Sequence, residues 1–349
     1  MLSIDGATGE GGGQILRSSL ALSLLTGQPF RMTNVRANRS KPGLQPQHLA
    51  SLTAAATIGG TEIEGLTKGS SEVVFRPGKV KSGHYKFDIG TAGSASLVLQ
   101  TVYLPLLLRG TGRSEVTIIG GTHVPAAPCF QYLATTWAGF MHRMGLEIEL
   151  HCARPGFFPK GGGQIMCRME PASEVVSWTE PACEPTPPGR ISGFSATCGF
   201  PPYMKAKRVA ERQAEKAGTL LRAEGFQPAI RVEDWDAPSS GTVLALILDC
   251  TPVPTLFFAL GEHGKRAETV AEEAVGQLLQ HWRLGPMAVD PHSADQLILP
   301  LAFARGKSAF AVSVVTPHLL TNIDIVKKFT SRKITCTGEL GEPGKVKIE

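Results

Sequence analysis

The sequence predicts a mixed α/β fold: three repeated β-α-β-α-β(β) units form a large domain, and a small α/β domain is inserted between the second and third units. Three observations predict it. A glycine-rich turn, helix, strand, helix, strand order begins at Gly9 and recurs from Gly90 and again near His292. Residues 180–189 hold Pro181, Pro185, Pro187 and Pro188, and proline sustains neither a helix nor a central strand. Beyond them lies an independent strand and helix pattern of about 100 residues, an ordinary domain size. The expected division is 1–182 with 283–349 for the large domain and 183–282 for the insertion.

In the first unit, Gly9-Glu10-Gly11-Gly12-Gly13-Gln14 forms a turn into a helix over 15–26. Apolar Ile15, Leu16, Leu20, Leu22 and Leu25 give that helix its core face, and Gly27 stops it. A strand over 30–35, a basic loop with Arg36, Arg39 and Lys41, a helix over 47–58 and a strand over 61–64 follow. In the second unit, Gly90-Thr91-Ala92-Gly93 opens a helix through Leu108, then come a strand over 115–119, a Gly120-Gly121-Thr122 loop, a helix over 128–144 and a strand over 146–150. The insertion reads as a strand over 191–197, a helix over 204–224, strands over 229–233, 242–249 and 256–260, and a helix over 267–282. The third unit reads as a helix over 294–303, a strand over 309–315, a helix over 318–329 and a strand over 333–336. No unit can bury its sheet and both helices alone, so the three should pack together.

Composition narrows the function classes. The 349 residues carry 35 Lys+Arg against 30 Asp+Glu, a net charge of +5 that permits an anionic partner without demanding one. Seven cysteines without a C-x-x-C pair read as reduced thiols of a cytosol-like compartment, cytoplasmic, or nuclear in a eukaryotic source. The best apolar run, 96–108, contains Gln100 and falls short of the roughly 20 residues a membrane span needs. Asp5 and Glu10 occupy the place of a signal peptide's basic region. The glycine run is not G-x-G-x-x-G, because Gln14 fills the last slot, and Gly306-Lys307-Ser308 lacks the upstream glycine of a P-loop. Neither common nucleotide motif is present.

Several residues carry chemistry without a motif. The glycine turn lets backbone N–H groups approach an anion at a helix start, and Glu10 could hold a divalent cation that bridges phosphates. Taken alone, it is equally a tight turn with Glu10 favouring the helix dipole. Arg36, Arg39 and Lys41 supply phosphate-binding cations just before Gln47-His48, or a solvated loop. Arg17 alone reads as a surface residue. His318 follows Thr316-Pro317, a strand-to-helix switch, and a neutral imidazole is a competent nucleophile toward phosphorus; an arbitrary histidine there is more often idle. In the insertion, Lys205, Lys207, Arg208, Arg212 and Lys216 could meet a phosphate backbone. Glu211 and Glu215 interleave them, which favours a solvated face.

In order along the chain, segments 9–17, 36–49, 90–94, 120–122, 158–163, 294–297 and 318–322 resemble the RNA 3′-terminal phosphate cyclase family over nearly the whole length. The resemblance implies ATP-dependent conversion of an RNA 3′-terminal phosphate to a 2′,3′-cyclic phosphate, with AMP and pyrophosphate released. It implies His318 as the nucleophile that becomes covalently adenylated, a divalent metal (Mg2+ or Mn2+) at Glu10, and Arg17, Arg36, Arg39, Gln47 and His48 around the RNA phosphate. Gln100, Pro128, His292, Ser293, Ala294, Asp295 and Gln296 would surround the adenosine. The family usually has tyrosine where this chain has His292, which alters the stacking face offered to the base. His123 also departs from the family pattern and is assigned no role. The implied partners are ATP and an RNA with a 3′-terminal phosphate, with no membrane. The competing readings are a non-catalytic RNA-binding ribosome-assembly factor of the same fold, which would lack His318, and an enolpyruvyl transferase, which would need a longer repeat array.

Overall fold

The computed structural model describes residues 1–179, 190–284 and 289–349. The proline-rich 180–189 segment, and with it the expected boundary at 182/183, lies outside the described residues. The first unit comprises β1 (Leu2–Asp5), α1 (Gly13–Thr26), β2 (Phe30–Thr33), α2 (Pro46–Gly59), β3 (Ile63–Glu64) and β4 (Val73–Phe75). The second comprises β5 (His84–Asp88), α3 (Ala95–Arg109), β6 (Ser114–Gly120), α4 (Phe130–Tyr132), a π-helical turn (Leu133–Trp137), α5 (Ala138–Arg143), β7 (Ile148–Arg154) and β8 (Gly163–Met169). Their sheets run β1-β2-β4-β3 and β5-β6-β8-β7, the same order with the same parallel first pair and antiparallel return strand.

A short β9 (Val175–Val176) precedes the insertion, which contains β10 (Ile191–Cys198), α6 (Pro202–Lys205), α7 (Val209–Ala223), β11 (Ala229–Trp235), β12 (Gly241–Leu248), β13 (Thr255–Leu260) and α8 (Ala267–Leu284). Its sheet runs β11-β10-β12-β13. The chain then forms α9 (Pro291–Ala302), β14 (Ala304–Arg305), β15 (Ser308–Val312), α10 (Pro317–Phe329), β16 (Ile334–Thr337) and β17 (Gly344–Ile348), with sheet order β15-β17-β16. Val289 bridges Val312 in parallel, where the other two units have a full leading strand.

Helix α1 packs against both α3 and α10, and the buried apolar residues of the units form one continuous interior. Phe30 of the first unit meets Phe329 of the third edge-on at 6.1 Å, and Trp178 stacks on Phe310 at 5.7 Å. The insertion joins the same interior. One face of its sheet sends Phe194, Ala196, Val243 and Ala245 into the main core, while the other buries Leu244, Leu246 and Leu248 against α7 and α8.

Two helices depart from the sequence expectation. The helix expected over 204–224 breaks at Arg208, which sits in the left-handed region at φ 49° and divides α6 from α7. The basic residues around it are drawn to carboxylates: Lys205 to Asp234, Arg212 to Glu268 and Lys216 to Glu272. The helix expected over 128–144 is interrupted by the π turn, in which the Ala138 N–H reaches back to Leu133 O. A tertiary tie holds that turn. Thr136 Oγ1 donates to Pro254 O at 3.1 Å and accepts from Leu256 N at 2.8 Å. His123, two residues beyond the Gly120-Gly121 bend, is a buried peg: it stacks on Phe157 at 4.8 Å and hydrogen-bonds Thr122 and Gln131.

Candidate active site

The first functional element is the start of α1. Its N-cap is Gly12, with no side chain closing the helix end, so the first N–H groups of the helix are available to an anion. Glycine at Gly12 and Gly13 leaves room for the side chains gathered at this helix start. A Cβ on Gly12 would run into the Glu10 carboxylate, and one on Gly13 into His48 Nε2 and Arg17 Nη1. Glu10 is nearly buried and is held by ion pairing to Arg39, whose Nη2 also donates to Glu10 O at 3.0 Å. The Glu10 N–H donates to Thr321 Oγ1 of α10 at 3.2 Å, which ties the first unit to the third. Glu10 Oε1 is buried without a hydrogen-bond partner and lies 3.9 Å from His318 Nδ1.

His318 occupies the first turn of α10, after N-cap Thr316, which accepts from Leu319 N, and after Pro317. Its ring is half exposed. Nδ1 lies 2.9 Å from Gln14 Oε1, and Gln14 Nε2 donates to Asp295 Oδ2 at 2.6 Å. An ionised Asp295 only accepts, so it orients the amide with its oxygen toward His318. The imidazole hydrogen then sits on Nδ1, leaving the Nε2 lone pair free. Burial lowers the His318 pKa below the usual range, opposed by Glu10 and assisted by Arg17, Arg39 and His292, which favours the neutral ring. Asp295 is pushed up to about 7 by burial, against the pull of Gln14 and Arg17. Asn322 buttresses it by donating to Asp295 O at 2.5 Å and accepting from Ser18 Oγ at 2.7 Å.

The basic residues converge on the same place. Arg17 is no surface residue: burial lowers its pKa to about 10, against the pull of Glu10 and Asp295, so it remains charged at neutral pH. His48 Nδ1 accepts from Gln45 N at 3.1 Å, which places its hydrogen on Nε2 toward Gly13. Burial, then Arg17 and Arg36, lower its pKa to about 3, so it is an uncharged donor. Arg36 braces its own loop through Lys41 O and Gly43 O. Gln47 accepts from Ser94 N at 2.8 Å and joins this cluster to the start of α3.

A cavity of about 510 Å3 opens from His318. Gln14, Arg17, Gln100, Pro128, His292, Asp295 and Gln296 line it. Ser293 and Ala294, grouped with the adenosine site on the sequence, do not. They lie on the buried face of α9, where Ser293 N–H bonds N-cap Asp290 and its hydroxyl meets Tyr132 at 2.6 Å. The helical period separates them from His292, Asp295 and Gln296. The lining also includes residues the sequence did not single out, Tyr103 and Trp137 of the second unit and Phe258 and Leu260 of the insertion. Gln14 was legible only as a turn residue; its bridge needs α9 and α10 in place.

Among the described residues, no three His, Cys, Asp or Glu side chains cluster as a metal site, and no helix is long and apolar enough to cross a membrane. A cation at Glu10 would thus rest on one carboxylate, with its orphaned Oε1, and on ligand phosphates and water. This donor set suits Mg2+-like ions.

The family model for RNA 3′-terminal phosphate cyclases matches residues 8–336. The chain is 42% identical to the RNA 3′-terminal phosphate cyclase of Methanopyrus kandleri, over 100% of this chain and 98% of that one. It is 43% identical to that of Ectopseudomonas mendocina, over 96% and 94%, and 40% identical to that of Salmonella typhimurium, over 96% and 95%. With matches of that identity and coverage, this chain belongs to the RNA 3′-terminal phosphate cyclase family.

Proposed function

We propose that this protein uses ATP to convert an RNA 3′-terminal phosphate into a 2′,3′-cyclic phosphate through a covalent His318–AMP intermediate. The observation that carries the reading is the state of His318. Its Nδ1 is occupied by Gln14 and its Nε2 is free, at the mouth of a nucleotide-sized cavity and beside the open start of α1. His318 Nε2 bonds the α-phosphorus of ATP while the bond to pyrophosphate breaks. Gln14 Oε1 accepts the Nδ1 hydrogen of the charged ring that results. A terminal RNA phosphate oxygen next takes the AMP, breaking the N–P bond. The adjacent 2′-hydroxyl then closes on the activated phosphorus and AMP leaves. That hydroxyl sits on the neighbouring carbon, so ring closure gains from proximity.

The α1 N–H groups and Arg17 would receive phosphate charge, and His48 and Arg39 would receive the RNA end. A divalent cation at Glu10 would neutralise charge on the transferring phosphate. The adenosine would lie between Pro128 and His292, with Gln100, Asp295 and Gln296 around it. Reduced thiols at six cysteines among the described residues suit the cytoplasm.

The test is an RNA bearing a labelled 3′-phosphate, incubated with ATP and Mg2+ or Mn2+. Its label should become resistant to phosphatase; a label that stays phosphatase-sensitive under all conditions overturns the reading. Two variants locate the parts. Glu10→Gln should raise the metal concentration for half-maximal self-labelling by about ten-fold or more, the scale of one lost charge contact; an unchanged metal titration removes Glu10 from the site. Arg39→Ala should slow transfer to RNA by about 10- to 100-fold and self-labelling much less. Equal loss in both steps places Arg39 on the triphosphate instead.

A further inference from the structure

The segment Phe158-Pro159-Lys160-Gly161-Gly162-Gly163 takes no part in the steps above. It belongs to the turn between β7 and β8, and that turn is anchored on both sides. The Gly161 N–H donates to Phe157 O at 2.7 Å, and the Phe157 N–H donates to Ser239 Oγ of the insertion at 2.7 Å. The Phe157 ring is buried on His123. Phe158 does the opposite: it is 66% exposed, the only exposed phenylalanine among the described residues. A firmly held turn thus keeps a large ring in water and forgoes its burial. A single exposed apolar residue means little alone; its surroundings give this one a use. Lys160 is exposed as well, and among the described residues no carboxylate pairs with it, whereas Lys205, Arg212 and Lys216 of the insertion are paired. The segment also adjoins the residues placed on the RNA end. A Cβ on Gly161 would meet Ala92 Cα and Thr91 O, and one on Gly93 would meet Gln47 Cβ. The Ser94 N–H donates to Gln47 Oε1 at 2.8 Å, and His48 follows. Through the 91–93 turn, the 158–163 segment is therefore continuous with Gln47-His48.

Resting on the RNA reading of that cluster, we propose that Phe158 is a stacking platform for one base of the single-stranded RNA upstream of its 3′ end, with Lys160 on the adjoining phosphate. Unpaired bases stack on aromatic rings whatever their identity, and basic side chains beside the ring follow the backbone. Such a foothold has a use in this reaction. The terminal phosphate changes its bonding twice, first on taking AMP and then on closing the ring, so contacts to it are broken and remade. A base held on Phe158 keeps the strand in place across both changes without touching the reacting atoms.

The experiment measures cyclisation of 3′-phosphorylated single-stranded RNA, intact or with one abasic residue at each of several upstream positions in turn. In wild type, an abasic residue at one position should raise KM by about five-fold or more, the low end of base–aromatic stacking, and leave kcat nearly unchanged. Phe158→Ala should raise KM for intact RNA by the same factor and become indifferent to that abasic residue. Phe158→Trp should restore both the low KM and the abasic penalty. Self-labelling with ATP, which needs no RNA, should match wild type in both variants. Lys160→Ala should lower the slope of log KM against log salt by about 0.7, the share of one phosphate contact on a single strand; an unchanged slope overturns the assignment of Lys160. Phe158→Ala with a wild-type KM for intact RNA overturns the proposal. So does loss by the same factor on intact and abasic RNA, which marks a structural role. A wild-type dimer that dissociates in Phe158→Ala gives the ring to a second copy of the chain and overturns it too. A wild type that cyclises no 3′-phosphorylated RNA overturns the RNA reading itself.

Discussion

His318→Ala yields no covalent nucleotide and loses cyclisation by at least about 10³-fold, since the attacking lone pair is removed and no other group replaces it. The fold should survive. His318 is half exposed, and the start of α10 is held by Thr316 and Pro317 rather than by the imidazole. Thermal unfolding should therefore shift by no more than about 0.5 kcal/mol, as for surface substitutions. Wild-type protein incubated with α-labelled ATP and a divalent metal and then denatured should carry an acid-labile, alkali-stable label, the behaviour of a phosphoramidate. Label on the alanine variant would move the nucleophile to another residue.

Gln14→Met should be nearly as damaging. The change keeps the size of the side chain and removes both the acceptor for His318 Nδ1 and the donor to Asp295. Without that bridge, the hydrogen can settle on Nε2, the nitrogen that must attack. A wrong histidine tautomer costs on the order of 10²–10⁴ in rate. Acidity should reproduce the defect in the wild type. As pH falls through about 7, Asp295 takes up a proton and becomes a donor, Gln14 turns its amide, and Nδ1 loses its acceptor. Self-adenylation should fall on that limb, and the limb should be absent in Gln14→Met. Stability should move the other way. The folded pKa of Asp295 lies above its unfolded value, so folding takes up a proton between about pH 4 and pH 7. The stability that this uptake contributes is full at low pH and lost as pH rises through about 7. Unfolding and labelling measured over the same range should show opposed slopes; parallel slopes would exclude Asp295 as their common source.

How much of this was legible in the sequence follows from the physics of each feature. The helix starts at Gly13 and Pro317 announce themselves through local turn chemistry, and they bring Glu10 and His318 together. Arg17 looked like an idle surface cation because the carboxylates around it, Glu10 and Asp295, come together only in the folded chain. The π turn has no local signature; Thr136 becomes its tie only when β13 lies alongside. Ser293 and Ala294 were grouped with their neighbours because adjacency in sequence is not adjacency on a helix face. The break at Arg208 lies in an amphipathic run that reads as unbroken, and its left-handed backbone is invisible to periodicity.

The Thr136 tie has a mechanical consequence. One hydroxyl clasps the insertion at Pro254 and Leu256, and the next residue along the backbone, Trp137, lines the cavity. The insertion also supplies Phe258 and Leu260 to that wall, from the strand the hydroxyl grips. The cavity is therefore walled jointly by the insertion and by the segment that its strand holds, so its shape depends on how the insertion seats there.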